Sequence, residues 1–234
     1  MHRRTFFRSL LHRCVAGVAL AAFSLAPNNG ATQTGSNAFE QCLKLTFDPL
    51  GVNVPVCTRV IASGALDDDR LADALAARAE ANLWAITYDG GRGTDAREQL
   101  ELALADLDAA VALRPSLLAR RGEVLYQLGR FEEARTDFTD AIEADPASEA
   151  GLLNSRSFAQ EALGELDAAI ADLTRALELG GARVPQPSWL FRRAALRDQA
   201  GDRAGAIADL ETVLVLQPSH QTAAEALARL RGEE

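Results

Sequence analysis

The side chains that most often carry out chemistry are scarce in this chain of 234 residues. Imidazole occurs only at His2, His12 and His220, and thiol only at Cys14, Cys42 and Cys57. A histidine general base or metal ligand needs partners brought to it, yet His220 stands by itself beside Pro218 in what reads as a turn between helices. Carboxylates are plentiful, and a pair such as Glu80 and Glu123 could in principle do acid–base work. Such a pair needs burial to move a pKa. Asp67-Asp68-Asp69 lacks the spaced ligands and central glycine of a calcium loop and reads as the acidic start of a helix. Gly90-Gly91-Arg92-Gly93 has no preceding strand and no following lysine, so it reads as a flexible turn rather than a phosphate cradle. The expectation is a protein that is not an enzyme, with no catalytic residues, no metal and no cofactor.

Residues 1–13 carry Arg3, Arg4, Arg8 and Arg13 and no acid, and Cys14 to Ala26 is apolar. A basic start followed by a short apolar stretch is the pattern of an export signal, too short to span a bilayer. Cleavage is expected between Ala26 and Gln33, which assigns residues 1–31 to the signal. Arg3-Arg4-Thr5-Phe6-Phe7-Arg8 is similar to a twin-arginine motif, and the choice between that route and general secretion stays open. The destination this implies is most simply a bacterial periplasm, with no membrane insertion once the signal is removed. Its loss takes four arginines and no acid, leaving 20 basic against 33 acidic residues. Such a surface repels phosphate backbones and argues against nucleic acid as a partner.

The signal would also take Cys14, leaving Cys42 and Cys57. In an oxidising compartment that pair suggests a disulfide, the alternatives being a two-ligand metal site or free thiols.

Self-comparison gives the strongest signal. Leu128-Gly129-Arg130-Phe131-Glu132-Glu133-Ala134, Leu163-Gly164-Glu165-Leu166-Asp167-Ala168-Ala169 and Ala200-Gly201-Asp202-Arg203-Ala204-Gly205-Ala206 superimpose without gaps, their glycines 35 and 37 residues apart. Downstream of each lies one helical stripe: Ala134/Phe138/Ala141, Ala169/Leu173/Ala176 and Ala206/Leu210/Val213. Upstream, an arginine precedes a small residue in Arg121-Gly122, Arg156-Ser157 and Arg193-Ala194, and small residues there are expected to let two helix backbones approach closely. Arg120-Arg121 and Arg192-Arg193 therefore read as a structural column, not a phosphate track. Asp145-Pro146 and Gln217-Pro218 stop the second helix of their units. An irregular earlier unit runs from Arg78-Ala79 through Ala103/Leu107/Ala110 to Arg114-Pro115, with an enlarged turn at 89–94 and Asp95 placed to cap its second helix.

This pattern resembles the tetratricopeptide repeat family, whose small residue in helix A, turn glycine, Ala-x3-Phe and terminal proline are all matched in 115–148. The resemblance covers about 71–231. It departs from the family pattern at Leu118, Leu153 and Leu190, where the consensus has an aromatic, and at Gly180-Gly181, where the third unit lacks its proline. It implies an all-α, right-handed solenoid with repeats at 71–114, 115–148, 149–186 and 187–218, followed by a capping helix, Gln221 to Arg231, and tail in 219–234. Residues 32–70 form a degenerate N-terminal unit in which Cys57 falls in the column of Leu173, with Cys42 facing it from the preceding helix.

In arrays of this family the first helices line a concave groove that takes peptide segments. The candidates on that face are Glu80, Trp84, Glu123, Tyr126, Gln127, Asn154, Phe158, Glu161, Phe191, Asp198 and Gln199. Aromatic anchors among carboxylates and amides suit a peptide with apolar side chains and basic or amide groups; the alternative is that Trp84, Phe158 and Phe191 only pack between helices. The Lys and Asn pair that some relatives use to clamp a C-terminal carboxylate is absent. The functional expectation is a non-enzymatic scaffold that binds a protein or peptide partner in its groove. Two rival readings are an accessory subunit assembling through its convex face or terminal helix, and an enzyme using carboxylates alone. Oligomeric state is open.

Overall fold

The computed structural model of the protein describes residues 29–44, 53–88, 95–180 and 186–232. The chain divides into two compact units, 1–34 and 35–234. The export segment 1–31 lies outside the described residues except for Asn29 to Ala31, which open the first helix, and so does the glycine-rich turn at 89–94.

Eleven helices are described: α1 (Asn29–Lys44), α2 (Asn53–Ala62), α3 (Asp68–Tyr88), α4 (Ala96–Leu113), α5 (Leu118–Gln127), α6 (Phe131–Ala144), α7 (Glu149–Ala162), α8 (Leu166–Gly180), α9 (Pro187–Gln199), α10 (Arg203–Leu216) and α11 (Gln221–Arg231). No strand occurs among the described residues. Within 35–234 the extensive packing is between helices adjacent in the chain, so α3/α4, α5/α6, α7/α8 and α9/α10 form successive helix pairs of a solenoid.

The helix ends show why the sequence stops where it does. Gly129, Gly164 and Gly201 sit at φ of 77°, 77° and 85°, a region that a Cβ disfavours. At each, the following residue donates back five positions, Arg130 N–H to Leu125 O, Glu165 N–H to Gln160 O and Asp202 N–H to Arg197 O, closing the same C-terminal lock three times. Arg114, Asp145 and Gln217, each before a proline, share an extended backbone at φ near −137°. Asp67 accepts from Arg70 N–H at the start of α3, and Asp95 accepts from Arg97 N–H at the start of α4.

The core is small-residue and leucine packing, with Leu107, Leu173, Leu196 and Val213 fully buried. Each buried leucine side chain contributes about 1.5–3 kcal/mol of transfer free energy. At Gly122 the close approach is made by a side chain, not by the facing backbone. A Cβ there would lie 2.9 Å from the Phe138 ring, so the unit with the largest helix B residue also has the smallest helix A one.

A polar ladder runs through this core. Arg78, Arg121, Arg156 and Arg193 each grip a buried aspartate on the second helix of the same unit, Asp106, Asp137, Asp172 and Asp209, through two hydrogen bonds of 2.6–2.9 Å. The remaining guanidinium nitrogen reaches the preceding unit: Thr58, Asp108, Thr139 and Thr174 at 3.1–3.2 Å. Each arginine thus ties three helices together, and the hydrogen bonds it donates to aspartate push Arg78, Arg121 and Arg156 above the ordinary guanidinium value.

At the N-terminal end, Cys42 of α1 and Cys57 of α2 form a disulfide. Both are buried, and the bond lies in an apolar cluster with Phe39, Val60 and Ala74 of α3. Thr58, next to Cys57, occupies the same place against Arg78 that Thr174, next to Leu173, occupies against Arg193. The degenerate unit therefore keeps the helix B register of the repeats.

Candidate functional site

The first helices of the pairs, α3, α5, α7 and α9, together with α11, line one face, and clefts open between them. A cleft of about 220 Å3 between α3 and α5 is lined by Glu80, Trp84, Arg120 and Gln127 among others. A second of about 310 Å3, between α5 and α7, is lined by Glu123, Tyr126, Gln127, Ser155 and Phe158 over a floor of Phe138. A third of about 290 Å3, between α9 and α11, includes Phe191, Asp198, Gln199, Ala226 and Arg229.

Nine of the eleven groove residues proposed from the sequence therefore line clefts on this face. Asn154 and Glu161 do something else: they hold Arg192. Its Nη2 donates to Glu161 at 2.8 Å and its Nη1 to Ser157 Oγ at 2.9 Å and the Asn154 carbonyl at 3.3 Å. The guanidinium carbon lies 3.1 Å from the centre of the Phe158 ring, a cation–π contact. Burial is the largest influence on Arg192 and pulls its pKa below the ordinary value despite Glu161.

The carboxylates on this face are already engaged. Glu80 and Glu123 both accept from Arg120, and Asp198 accepts from Arg229 at 2.8 Å. Burial lowers Arg120, but its two glutamates outweigh that and leave it raised. The two arginines of each doublet thus have different work. Arg121 and Arg193 enter the ladder, whereas Arg120 and Arg192 bridge neighbouring helices on the groove side.

The aromatic residues form a row. Tyr126 meets Phe131 at 5.4 Å and Phe158 edge-to-face at 6.1 Å between ring centres. Phe158 remains 38% exposed. Phe191 stacks at 5.0 Å on His220, whose Nδ1 accepts from Ala223 N–H and caps α11. His220 is therefore a capping residue. No group of three or more histidine, cysteine or acidic side chains able to hold a metal occurs among the described residues. Nor is any described helix long and apolar enough to cross a membrane.

Sequence reasoning missed the aspartate ladder. Its signal was present: an acid stands immediately before the large helix B residue in each unit, 16 residues after the arginine in three of them.

The tetratricopeptide repeat model matches residues 115–148, the unit that contains the Gly122–Phe138 contact. One tetratricopeptide repeat is thus shown in the chain, over residues 115–148. A tetratricopeptide repeat protein from Parabacteroides merdae superposes with a TM-score of 0.68 over 85% of this chain and 72% of its own, at 16% identity. MamA, residue 41 to the end, from Desulfovibrio magneticus gives 0.63 over 83% of this chain and 99% of its own, at 17% identity. These likenesses are of fold. A Hsp70-Hsp90 organizing protein of Triticum aestivum is 35% identical over 104 residues, which is 43% of this chain but only 17% of that relative's length. The chain thus spans only about a sixth of that relative's length.

Proposed function

We propose that this tetratricopeptide repeat protein is a non-enzymatic scaffold of the cell envelope that binds a segment of another polypeptide on the face lined by its first helices. The observation that carries this reading is the set of clefts at α3/α5, α5/α7 and α9/α11, with Phe158 left part-exposed among polar neighbours. Clefts of this size lined by aromatic and amide side chains suit anchor residues of a peptide. The wheat relative is named for organising two other proteins, which agrees with a binding role for the shared repeats. The basic, then apolar N-terminal sequence and the Cys42–Cys57 disulfide support an exported, oxidising location.

The test is a cross-linking pull-down from the native compartment, comparing the parent with a folded Trp84→Ala, Phe158→Ala, Phe191→Asp variant. Partners recovered with the parent should be depleted with the variant, and equal recovery would move the binding surface elsewhere. Intact mass of the native protein should show loss of the first 26 to 33 residues. A retained Met1 would contradict export by a cleaved signal.

A further inference from the structure

The junctions between successive first helices share a device that fails at one place. Across α3/α5, Arg120 reaches back to Glu80. Across α7/α9, Arg192 reaches back to Glu161 while lying over Phe158. Both arginines occupy the position just before the ladder arginine, and Arg229 makes the equivalent bridge to Asp198 across α9/α11 from another position. On α7 the corresponding residue is Ser155. The one arginine of α7, Arg156, is held by Asp172 and Thr139 in the ladder, and the largest of the three clefts, about 310 Å3, lies between α5 and α7.

The cleft has the surroundings that an arginine would need. Tyr126, Phe138 and Phe158 offer an apolar channel for a methylene stem, and Tyr126 a ring for a planar cation, the Phe158 ring already carrying Arg192. Glu123 stands at its edge, two residues after the ladder arginine of its helix, as Glu80 does on α3. Without a cation from α7, Glu123 shares Arg120 with Glu80, so that cluster has two carboxylates to one guanidinium. The whole chain carries a formal net charge of −9, which favours approach by a basic segment.

We propose that the α5/α7 cleft receives an arginine side chain from the partner polypeptide, completing from outside the bridge that Ser155 leaves unmade. This deepens the binding reading above and rests on it. Arg192 is the template: a guanidinium over an aromatic ring, bonded to a carboxylate on the preceding helix. Arginine fits better than lysine because its planar fork can stack and bond a carboxylate at once.

The test is selection of random peptides displayed on phage against the immobilised full chain, followed by affinity measurement with synthetic copies of those selected. The expected peptides contain an arginine whose replacement by alanine weakens binding by about tenfold or more. Ser155→Arg, which supplies the missing bridge internally, should weaken binding to a similar degree while melting no lower than the parent. Val215→Ala, on the exposed side of α10 and away from the cleft, should bind as the parent does. If binding depends on Trp84 or Phe191 but is unchanged by Ser155→Arg, or if the peptides lack a required arginine, the arginine site is wrong and the groove reading stands. If no peptide is recovered, or none depends on any residue of this face, both fail.

Discussion

Arg193 and Asp209 face each other across the α9/α10 pair, with Nε and Nη2 of the guanidinium donating to the two carboxylate oxygens at 2.9 and 2.7 Å. Arg197 donates to the same carboxylate at 2.8 Å, so one buried aspartate satisfies two cations. Asp209→Ala would leave both without that acceptor in a site where Arg193 is only 13% exposed. Removing one partner of a buried pair costs about 3 kcal/mol, far more than a surface pair is worth. Urea unfolding should show a loss of that order for Asp209→Ala, and a much smaller loss for Glu133→Ala, whose partner Arg130 is exposed.

Two glycine substitutions should act in opposite directions. Gly164 holds φ at 77°, so Gly164→Ala should destabilise by about 1 kcal/mol although nothing blocks its Cβ. Gly151 lies in α7 with open space around it and no left-handed backbone, so Gly151→Ala should stabilise by roughly 0.5–1 kcal/mol. Thermal melts of the two variants beside the parent check both signs.

The disulfide should hold the N-terminal end and little else. Closing the 15-residue separation between Cys42 and Cys57 is worth about 3 kcal/mol in the chain-entropy model. Because packing is between neighbouring helices, the effect should stay local. With the bond reduced, hydrogen exchange should accelerate in α1 and α2, while α5 to α10 keep their protection.

The helices and their pairing were legible from the sequence because each local signal agreed with the others. Apolar stripes such as Ala169/Leu173/Ala176 ended at turn glycines or prolines, and the structure places α8 and α11 accordingly. Tyr126 and Phe158, which the helical period sets apart from the buried stripe, line the α5/α7 cleft. What the period could not show was which charges meet. Arg120 and Glu80 lie 40 residues apart on different helices, and their pairing depends on how successive units stack. The groove carboxylates therefore all looked available to a basic partner, whereas the structure gives Glu80, Glu161 and Asp198 to arginines of the chain itself and leaves Glu123 sharing Arg120 with Glu80. Gly122 was legible as a close approach, but the identity of the approaching group, the Phe138 ring, was not.

The central claim is that partners bind on the face of the first helices, and site-resolved photo-cross-linking tests it most directly. A photoreactive phenylalanine analogue placed at Phe158, part-exposed on α7, is compared with the same analogue at Val215, which is 78% exposed on α10. In cells, the account predicts a discrete cross-linked product from position 158 and none from position 215. A product from position 215 with none from position 158 would contradict it.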